Sequence, residues 1–289
     1  MEDEDRVSVQ IASGARAAEQ LVRERRRLLA PGARPRPGIL LAEGDSWFDY
    51  PLTDVLSALE DHFGWEIESA ADRGDNLESM AYGQAQRERF TRVFERVERR
   101  GEVPVAIVLS GGGNEFAGPE LAVMLDHMGT GHGGINELIT TELVQRRMRE
   151  AWANLLGFTR QLAVELFGVP VRTVVHGYDY AVPDGRGFLG GAGVLPGPWL
   201  APSYARKGIG SDSQEGLEER AALTRVLLDR YNGMLEFLVT APGLEHVTYV
   251  DLRGVLTSPD YKDDWANELH PTASGFRAIA SRINDALQA

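Results

Sequence analysis

Five short apolar runs that alternate with long amphipathic stretches constrain the fold of this 289-residue chain more than any other feature. Two of these runs, VAIVL at 105–109 and VRTVV at 171–175, are nearly continuous and partly β-branched, as expected of strands covered on both faces. The stretches between the runs carry apolar residues at three- and four-residue spacing, which is typical of helices with one buried face. Strands and helices in alternation predict a parallel sheet in a doubly wound, three-layer α/β/α domain. The predicted strands lie at 38–46, 65–72, 103–114, 169–179 and 246–252, and the predicted helices lie near 53–63, 76–100, 137–167, 217–240 and 272–287.

The chain before this alternating pattern has a different character. Residues 15–30 have helical composition with a strongly basic face. The following PGARPRPG cannot continue a helix, because its prolines remove backbone donors. We therefore predict an N-terminal helical arm and proline-rich linker at 1–37, followed by a single domain at 38–289.

Two connections in the main domain are too long for simple loops between a strand and a helix. They cover residues 116–136 and 180–216. Long segments of this kind in compact domains often form lids or binding loops. The second is rich in Gly and Pro but also carries Phe188, Trp199 and Tyr204, which favours an ordered segment on the substrate side.

Charge and composition exclude several classes of function. The net charge of −13 should repel a phosphate backbone, so we expect no nucleic-acid partner. The chain has no cysteine, which removes disulfides, thiolate metal ligands and cysteine nucleophiles. The acidic N-terminus has no apolar leader and no run of about 18 apolar residues occurs, so we expect a cytoplasmic protein without a transmembrane segment. The composition predicts no particular oligomeric state.

The candidate chemistry lies where the predicted strands end, because ligands of open parallel sheets bind outside the carboxyl ends of the strands. GDS after the first strand supplies Ser46, RGDN after the second supplies Gly74, and GGGN after the third supplies Asn114. His270 lies in a turn before the last helix, where Pro271 suits a first helical turn.

These four residues can together perform acyl transfer. A serine hydroxyl needs a neighbouring base and a group of donors aimed at the developing oxyanion. Ser46 can be the nucleophile and His270 the base. The backbone N–H groups of Ser46 and Gly74 and the side-chain amide of Asn114 can form the oxyanion hole.

The order of the GDS, RGDN, GGGN and HP blocks resembles that of the SGNH, or GDSL-type, hydrolase superfamily, whose four name-giving residues match Ser46, Gly74, Asn114 and His270. The resemblance implies a flavodoxin-like five-stranded sheet in the order 2-1-3-4-5. It also implies that no metal or organic cofactor is needed. The implied reaction is hydrolysis of a small-molecule or lipid-like ester, or a related acyl bond, through an acyl-serine intermediate.

The third member of the catalytic triad departs from the superfamily pattern. The superfamily usually has Asp three residues before the histidine, but this chain has Asn267 there. An amide can orient an imidazole but cannot stabilise imidazolium by charge. We predict that Asp264 replaces it by folding back toward His270, with Asp263 and Glu268 as weaker candidates. The alternative is a Ser–His dyad supported by Asn267.

Three aromatic residues and the scaffold itself fit more than one role. The aromatic residues Trp47, Phe48 and Tyr50 suit either the core or an apolar acyl pocket. Asn267 also favours a second hypothesis, a catalytically impaired binding or interaction protein on the same scaffold. A third is a nucleotide-binding domain with SGGGN as its phosphate loop, although the glycines do not complete GxGxxG and no GxxxxGK[ST] exists. The histidine spacing predicts no metal site.

Overall fold

The computed structural model describes residues 37–190 and 196–289. The predicted basic helix at 15–30 and nearly all of the predicted arm at 1–37 lie outside the described residues. Residues 191–195 of the long segment at 180–216 also lie outside them.

Five parallel strands form the central sheet, and their order confirms the flavodoxin-like prediction. The order of the strands in this sheet is β2-β1-β3-β6-β7. When only its own five strands are numbered along the chain, the order is 2-1-3-4-5. Every residue of β1, β3 and β6 is buried, as expected when helices cover both faces. The strands are β1 Ile39–Glu43, β2 Glu66–Ser69, β3 Ala106–Leu109, β4 Leu125–Asp126, β5 Gly134–Ile135, β6 Thr173–His176 and β7 Val247–Val250.

The helices form the two outer layers of the α/β/α domain. They are α1 Val55–Phe63, α2 Leu77–Tyr82, α3 Gln84–Glu98, α4 Gly118–Val123, α5 Glu137–Thr141, α6 Arg149–Phe167, α7 Ala201–Arg206, α8 Gln214–Leu238 and α9 Ala273–Gln288. Helices α1 and α9 pack against each other, whereas α2, α3 and α6 form another packed group. Among these described helices, none combines the length and the apolar character needed to cross a bilayer.

Two predicted helices are interrupted in the structure. The helix predicted at 76–100 breaks at Gly83, whose extended backbone ends α2 and begins α3. A Cβ at this glycine would lie 2.5 Å from the carbonyl oxygen of Ser79, so a larger residue would not fit the close turn. The helix predicted at 137–167 contains a π-helical segment, Glu142–Met148, between α5 and α6.

The two long connections contain more regular structure than the sequence predicted. The connection at 116–136 holds α4 and the antiparallel pair β4–β5, and the one at 180–216 holds α7. The described residues of both connections therefore include helices or strands. Their side chains contribute to the cavities beside the candidate site.

Candidate active site

Ser46 lies in a tight turn that directly follows β1. The turn is closed by a hydrogen bond from the backbone N–H of Phe48 to the carbonyl of Asp45 at 3.0 Å. Glycine is required at position 44, because a Cβ there would lie 2.8 Å from Cβ of Ser110. The close approach of β1 and the end of β3 thus accounts for the first residue of the GDS block.

Asp45 is a buried carboxylate that fixes this turn. Its Oδ1 accepts hydrogen bonds from the backbone N–H of Trp47 and from Oγ of Ser110, both at 3.0 Å. Its Oδ2 accepts a hydrogen bond from the hydroxyl of Tyr178. The residue before Ser46 therefore ties the turn to the ends of β3 and β6.

His270 and Ser46, the predicted base and nucleophile, lie within hydrogen-bonding distance of each other. Nε2 of His270 lies 2.8 Å from Oγ of Ser46, although 224 positions separate the two residues. On the other side of the ring, Nδ1 lies 3.0 Å from Oδ1 of Asn267. The three side chains form a continuous chain from hydroxyl to imidazole to amide.

The orientation of the Asn267 amide determines which nitrogen of His270 carries the proton. Oδ1 of Asn267 accepts the backbone N–H groups of Leu269 and His270, at 3.0 and 2.9 Å. Its Nδ2 donates to the hydroxyl of Tyr50 at 2.9 Å. Because the atom facing Nδ1 is an acceptor, neutral His270 must carry its proton on Nδ1. Nε2 is then left with the lone pair that can accept the Ser46 proton.

Aromatic rings surround the imidazole of His270. Tyr50 stacks on it with ring centroids 4.0 Å apart and an interplanar angle of 18°, and Trp199 meets it edge-on with centroids 5.3 Å apart. Burial among these groups lowers the pKa of His270 to about 3. The imidazole is therefore neutral over the physiological pH range, which is the form that a general base requires.

The structure does not bring Asp264, the predicted support of His270, to the imidazole. Its carboxylate instead accepts hydrogen bonds from the backbone N–H and the hydroxyl of Ser258, at 2.7 and 2.9 Å. Asp263, a weaker candidate, is exposed. The position beside Nδ1 belongs to Asn267, the alternative that the sequence left open.

Glu268, the other weaker candidate, is fully buried but binds the backbone of the segment at 180–216. Its carboxylate accepts four backbone N–H groups at 2.6–2.9 Å, donated by Gly185, Trp199, Leu200 and Ala201. Burial raises its pKa, and the four N–H donors oppose that shift. Glu268 thus fixes the loop that carries Trp199 against His270.

We predict that Glu268→Gln lowers the free energy of unfolding by about 2–4 kcal/mol, because the amide would turn a donor toward backbone N–H groups that need an acceptor. Urea denaturation measures this loss. Glu236→Gln on the exposed face of α8 is the matched control and should change stability by less than about 1 kcal/mol. Equal stability of the two variants would contradict the role assigned to Glu268.

The two candidate oxyanion residues outside the Ser46 turn lie close to each other. Nδ2 of Asn114 donates to the carbonyl of Asp75 at 2.7 Å, which places its amide beside the turn of Gly74. Gly74 has a φ of +84°, a conformation that favours glycine. Asn114 also lines the same cavity as Ser46, and it has a second amide hydrogen to donate.

Aromatic side chains pack against the glycines before Asn114, so these glycines do not form an open loop that could bind a phosphate group. A Cβ at Gly112, where φ is +93°, would lie 2.4 Å from the hydroxyl oxygen of Tyr231. A Cβ at Gly113 would lie 2.9 Å from the ring of Tyr178. Because these rings fill the space over the glycines, the geometry does not favour a phosphate-binding loop. Within residues 37–190 and 196–289, no group of three or more His, Asp or Glu residues could hold a metal ion.

Two cavities of unequal size lie beside the candidate site and share a wall residue. A small one of about 40 Å³ is lined by Ser46, Asn114 and mostly apolar side chains. A larger cleft of about 540 Å³ is lined by Gly74, Asn114 and Trp199, among others. Asn114 is the residue that lines both.

Sequence reasoning did not assign the roles of Trp199 and Glu268, and it left Tyr50 undecided. Trp47 and Phe48 are buried in the core, and Trp47 also lines the small cavity beside Ser46. Tyr50 contacts both His270 and Asn267. The position of Tyr50 four residues after the candidate nucleophile was the available signal. The aromatic residues of the segment at 180–216 indicated that it lies on the substrate side, but nothing in the sequence indicated that Trp199 contacts His270, 71 positions later.

Comparison with known proteins supports the fold. No protein-family model matches this chain, and no curated protein matches it in sequence. The solved structures that resemble it include the lipase Lip_vut3 from a goat rumen metagenome, with a TM-score of 0.53, 12% identity, and coverage of 86% of this chain and 96% of the lipase. A candidate SGNH hydrolase from Slackia heliotrinireducens has a TM-score of 0.48 and 12% identity over 86% of this chain and 97% of its own. A catalytic mutant of the acetylxylan esterase Axe2 from Geobacillus stearothermophilus has a TM-score of 0.42 and 12% identity over 89% of this chain and 96% of its own. At this identity the likeness to the lipase shows a shared fold.

Proposed function

We propose that this protein is a serine hydrolase that cleaves an ester, or a related acyl bond, through an acyl-serine intermediate. The observation that carries the proposal is the hydrogen-bonded chain from Ser46 through His270 to Asn267. The acceptor beside Nδ1 supports the proposal because it leaves Nε2 free to take the serine proton.

In the first half of the proposed reaction, Oγ of Ser46 attacks the acyl carbon while its proton moves to Nε2 of His270. The backbone N–H groups of Ser46 and Gly74 and the amide of Asn114 stabilise the oxyanion. When the tetrahedral intermediate collapses, the bond from the acyl carbon to the leaving oxygen breaks. His270 returns the proton to that oxygen, and the alcohol departs.

In the second half, water repeats the attack on the acyl-serine. His270 takes a proton from the water, and the collapse of the second tetrahedral intermediate returns that proton to Oγ of Ser46. The net reaction converts one ester and one water into one acid and one alcohol. The protein groups end as they began, and the proposal requires no cofactor.

The positively charged imidazolium that forms in each half is supported without a carboxylate. Nδ1–H keeps its hydrogen bond to Oδ1 of Asn267, and the face of Tyr50 lies against the ring. The faces of aromatic rings attract cations. These contacts argue for an active enzyme over the alternative of a catalytically impaired scaffold.

The direct test is hydrolysis of p-nitrophenyl acetate by the purified full-length chain at pH 7.5. We expect release of p-nitrophenolate that follows saturation kinetics. If p-nitrophenyl acetate and a panel of simple esters and thioesters give no turnover above the uncatalysed rate, the proposal is contradicted.

A further inference from the structure

The small cavity beside Ser46 has a defined size and an apolar lining. Its volume of about 40 Å³ corresponds to roughly three water-sized positions. Its walls include Phe116, Leu121, Leu200 and Leu227, all of which are buried. Such a cavity suits a short hydrocarbon chain and excludes a long one.

The walls of this cavity are held by hydrogen bonds. Tyr204 and Thr224, which also line it, are joined by a hydrogen bond of 2.7 Å between their hydroxyl groups. Leu200 is held through its backbone N–H by Glu268 at 2.7 Å. The cavity therefore has a fixed boundary rather than one that a longer chain could displace at little cost.

The position of His270 indicates which part of an ester enters each space. The leaving oxygen must receive its proton from Nε2 of His270, so the alcohol lies on the side of that ring. Trp199, which packs edge-on against His270, lines the larger cleft and not the small cavity. The acyl chain, which stays bonded to Ser46, then occupies the small cavity that Ser46 lines.

We propose, on the basis of the function proposed above, that this enzyme is specific for esters of short acyl groups, up to about four carbons, on larger alcohols. The small cavity receives the acyl chain, and the cleft of about 540 Å³ receives the alcohol. The difference in volume between the two spaces sets the specificity.

The test is a series of p-nitrophenyl esters that share one leaving group and differ in acyl length from acetate to decanoate. We expect kcat/KM to fall by about 100-fold or more between butyrate and octanoate, since each methylene that does not fit can cost at least tenfold. Equal or faster hydrolysis of octanoate would overturn the inference while leaving the hydrolase function intact. Efficient hydrolysis of methyl octanoate would overturn the assignment of the two spaces. Absence of turnover with every ester would contradict the proposed function instead.

A pair of variants on α8 tests the cavity itself. Leu227→Ala removes part of the cavity wall and opens space for about three more carbons, so it should raise the ratio of octanoate to acetate kcat/KM by at least about tenfold. Leu235→Ala on the same helix is the control, because Leu235 is equally buried but does not line the cavity. An unchanged ratio in Leu227→Ala, or the same rise in both variants, would overturn the inference. If Leu227→Ala does not fold, Leu121→Ala on α4 replaces it, with the same expected result.

Discussion

Replacing Ser46 with alanine is expected to lower kcat for p-nitrophenyl acetate by at least about 10⁴-fold, because the variant lacks the atom that forms the acyl bond. His270→Ala should cause a loss of similar size, since Nε2 lies 2.8 Å from that atom and no longer removes its proton. The double variant should be no slower than the worse single variant, because the two residues act as one unit. Steady-state kinetics at one pH measures all three.

The control for Ser46→Ala is Ser211→Ala, which removes a hydroxyl from an exposed position before α8. We expect it to keep the activity of the original protein. Circular dichroism should show that each variant is folded. Turnover by Ser46→Ala within about tenfold of the original protein would contradict the role of Ser46.

Replacing Asn267 with aspartate is expected to change the pH profile more than any other single substitution near the site. Burial holds the pKa of His270 at about 3, so neutral imidazole persists well below the usual value of 6.5. A carboxylate 3.0 Å from Nδ1 would favour imidazolium and raise that pKa. Because the base acts in its neutral form, the acidic limb of kcat/KM should move to higher pH.

The same substitution should raise kcat at pH 8 by roughly 10- to 100-fold. This factor corresponds to the energy of a hydrogen bond to a charged partner, which is about 1.5–3 kcal/mol. We expect this gain in kcat to be smaller than the loss of about 10⁴-fold that replacing the triad aspartate with asparagine causes in a serine protease. Part of that loss arises because the asparagine there selects the wrong imidazole tautomer. Here two backbone N–H groups fix the amide of Asn267 so that the productive tautomer already forms.

Asp264→Asn is the matched control for this experiment. Its carboxylate bonds to Ser258 and not to His270, so we expect the acidic limb to stay in place. Burial raises the pKa of Glu115, the residue after Asn114, to about 7. Its titration can add a second limb near neutral pH to the kcat/KM profile, and this limb should be the same in the original protein and in both variants. A limb that moves in Asp264→Asn and not in Asn267→Asp would contradict the assignment of Asn267.

The fold could be predicted from sequence because its strands are short, apolar and separated by helices. The runs at β1 and β3 are buried along their whole length, which matches their near-continuous hydrophobicity. The order of the sheet followed from the resemblance to a superfamily rather than from the pattern itself. The break at Gly83 was missed because the apolar periodicity continues across it, and the carbonyl that crowds the glycine is visible only in three dimensions.

Part of the candidate site could also be predicted, because parallel strands deliver their carboxyl ends to one edge of the sheet. The structure brings Ser46 and His270 together, and Asn114 lines one cavity with Ser46 and another with Gly74. Asp264 was preferred to Asn267 as the partner of His270 because a carboxylate stabilises imidazolium by charge, but Asn267 is the residue that lies beside Nδ1. The Asn267 amide is oriented by the backbone N–H groups of Leu269 and His270. Such backbone contacts do not depend on the type of residue, so the sequence could not reveal them.

The measurement that tests the central claim most directly is mass-spectrometric mapping of the full-length chain after treatment with a fluorophosphonate probe. Such probes react with a serine hydroxyl that a neighbouring base activates, and they require no knowledge of the substrate. We predict one phosphonyl group per chain on the peptide that carries Ser46, and no labelling there in His270→Ala. An unlabelled chain, or labelling on a different serine, would contradict the claim that Ser46 and His270 form a working nucleophile and base.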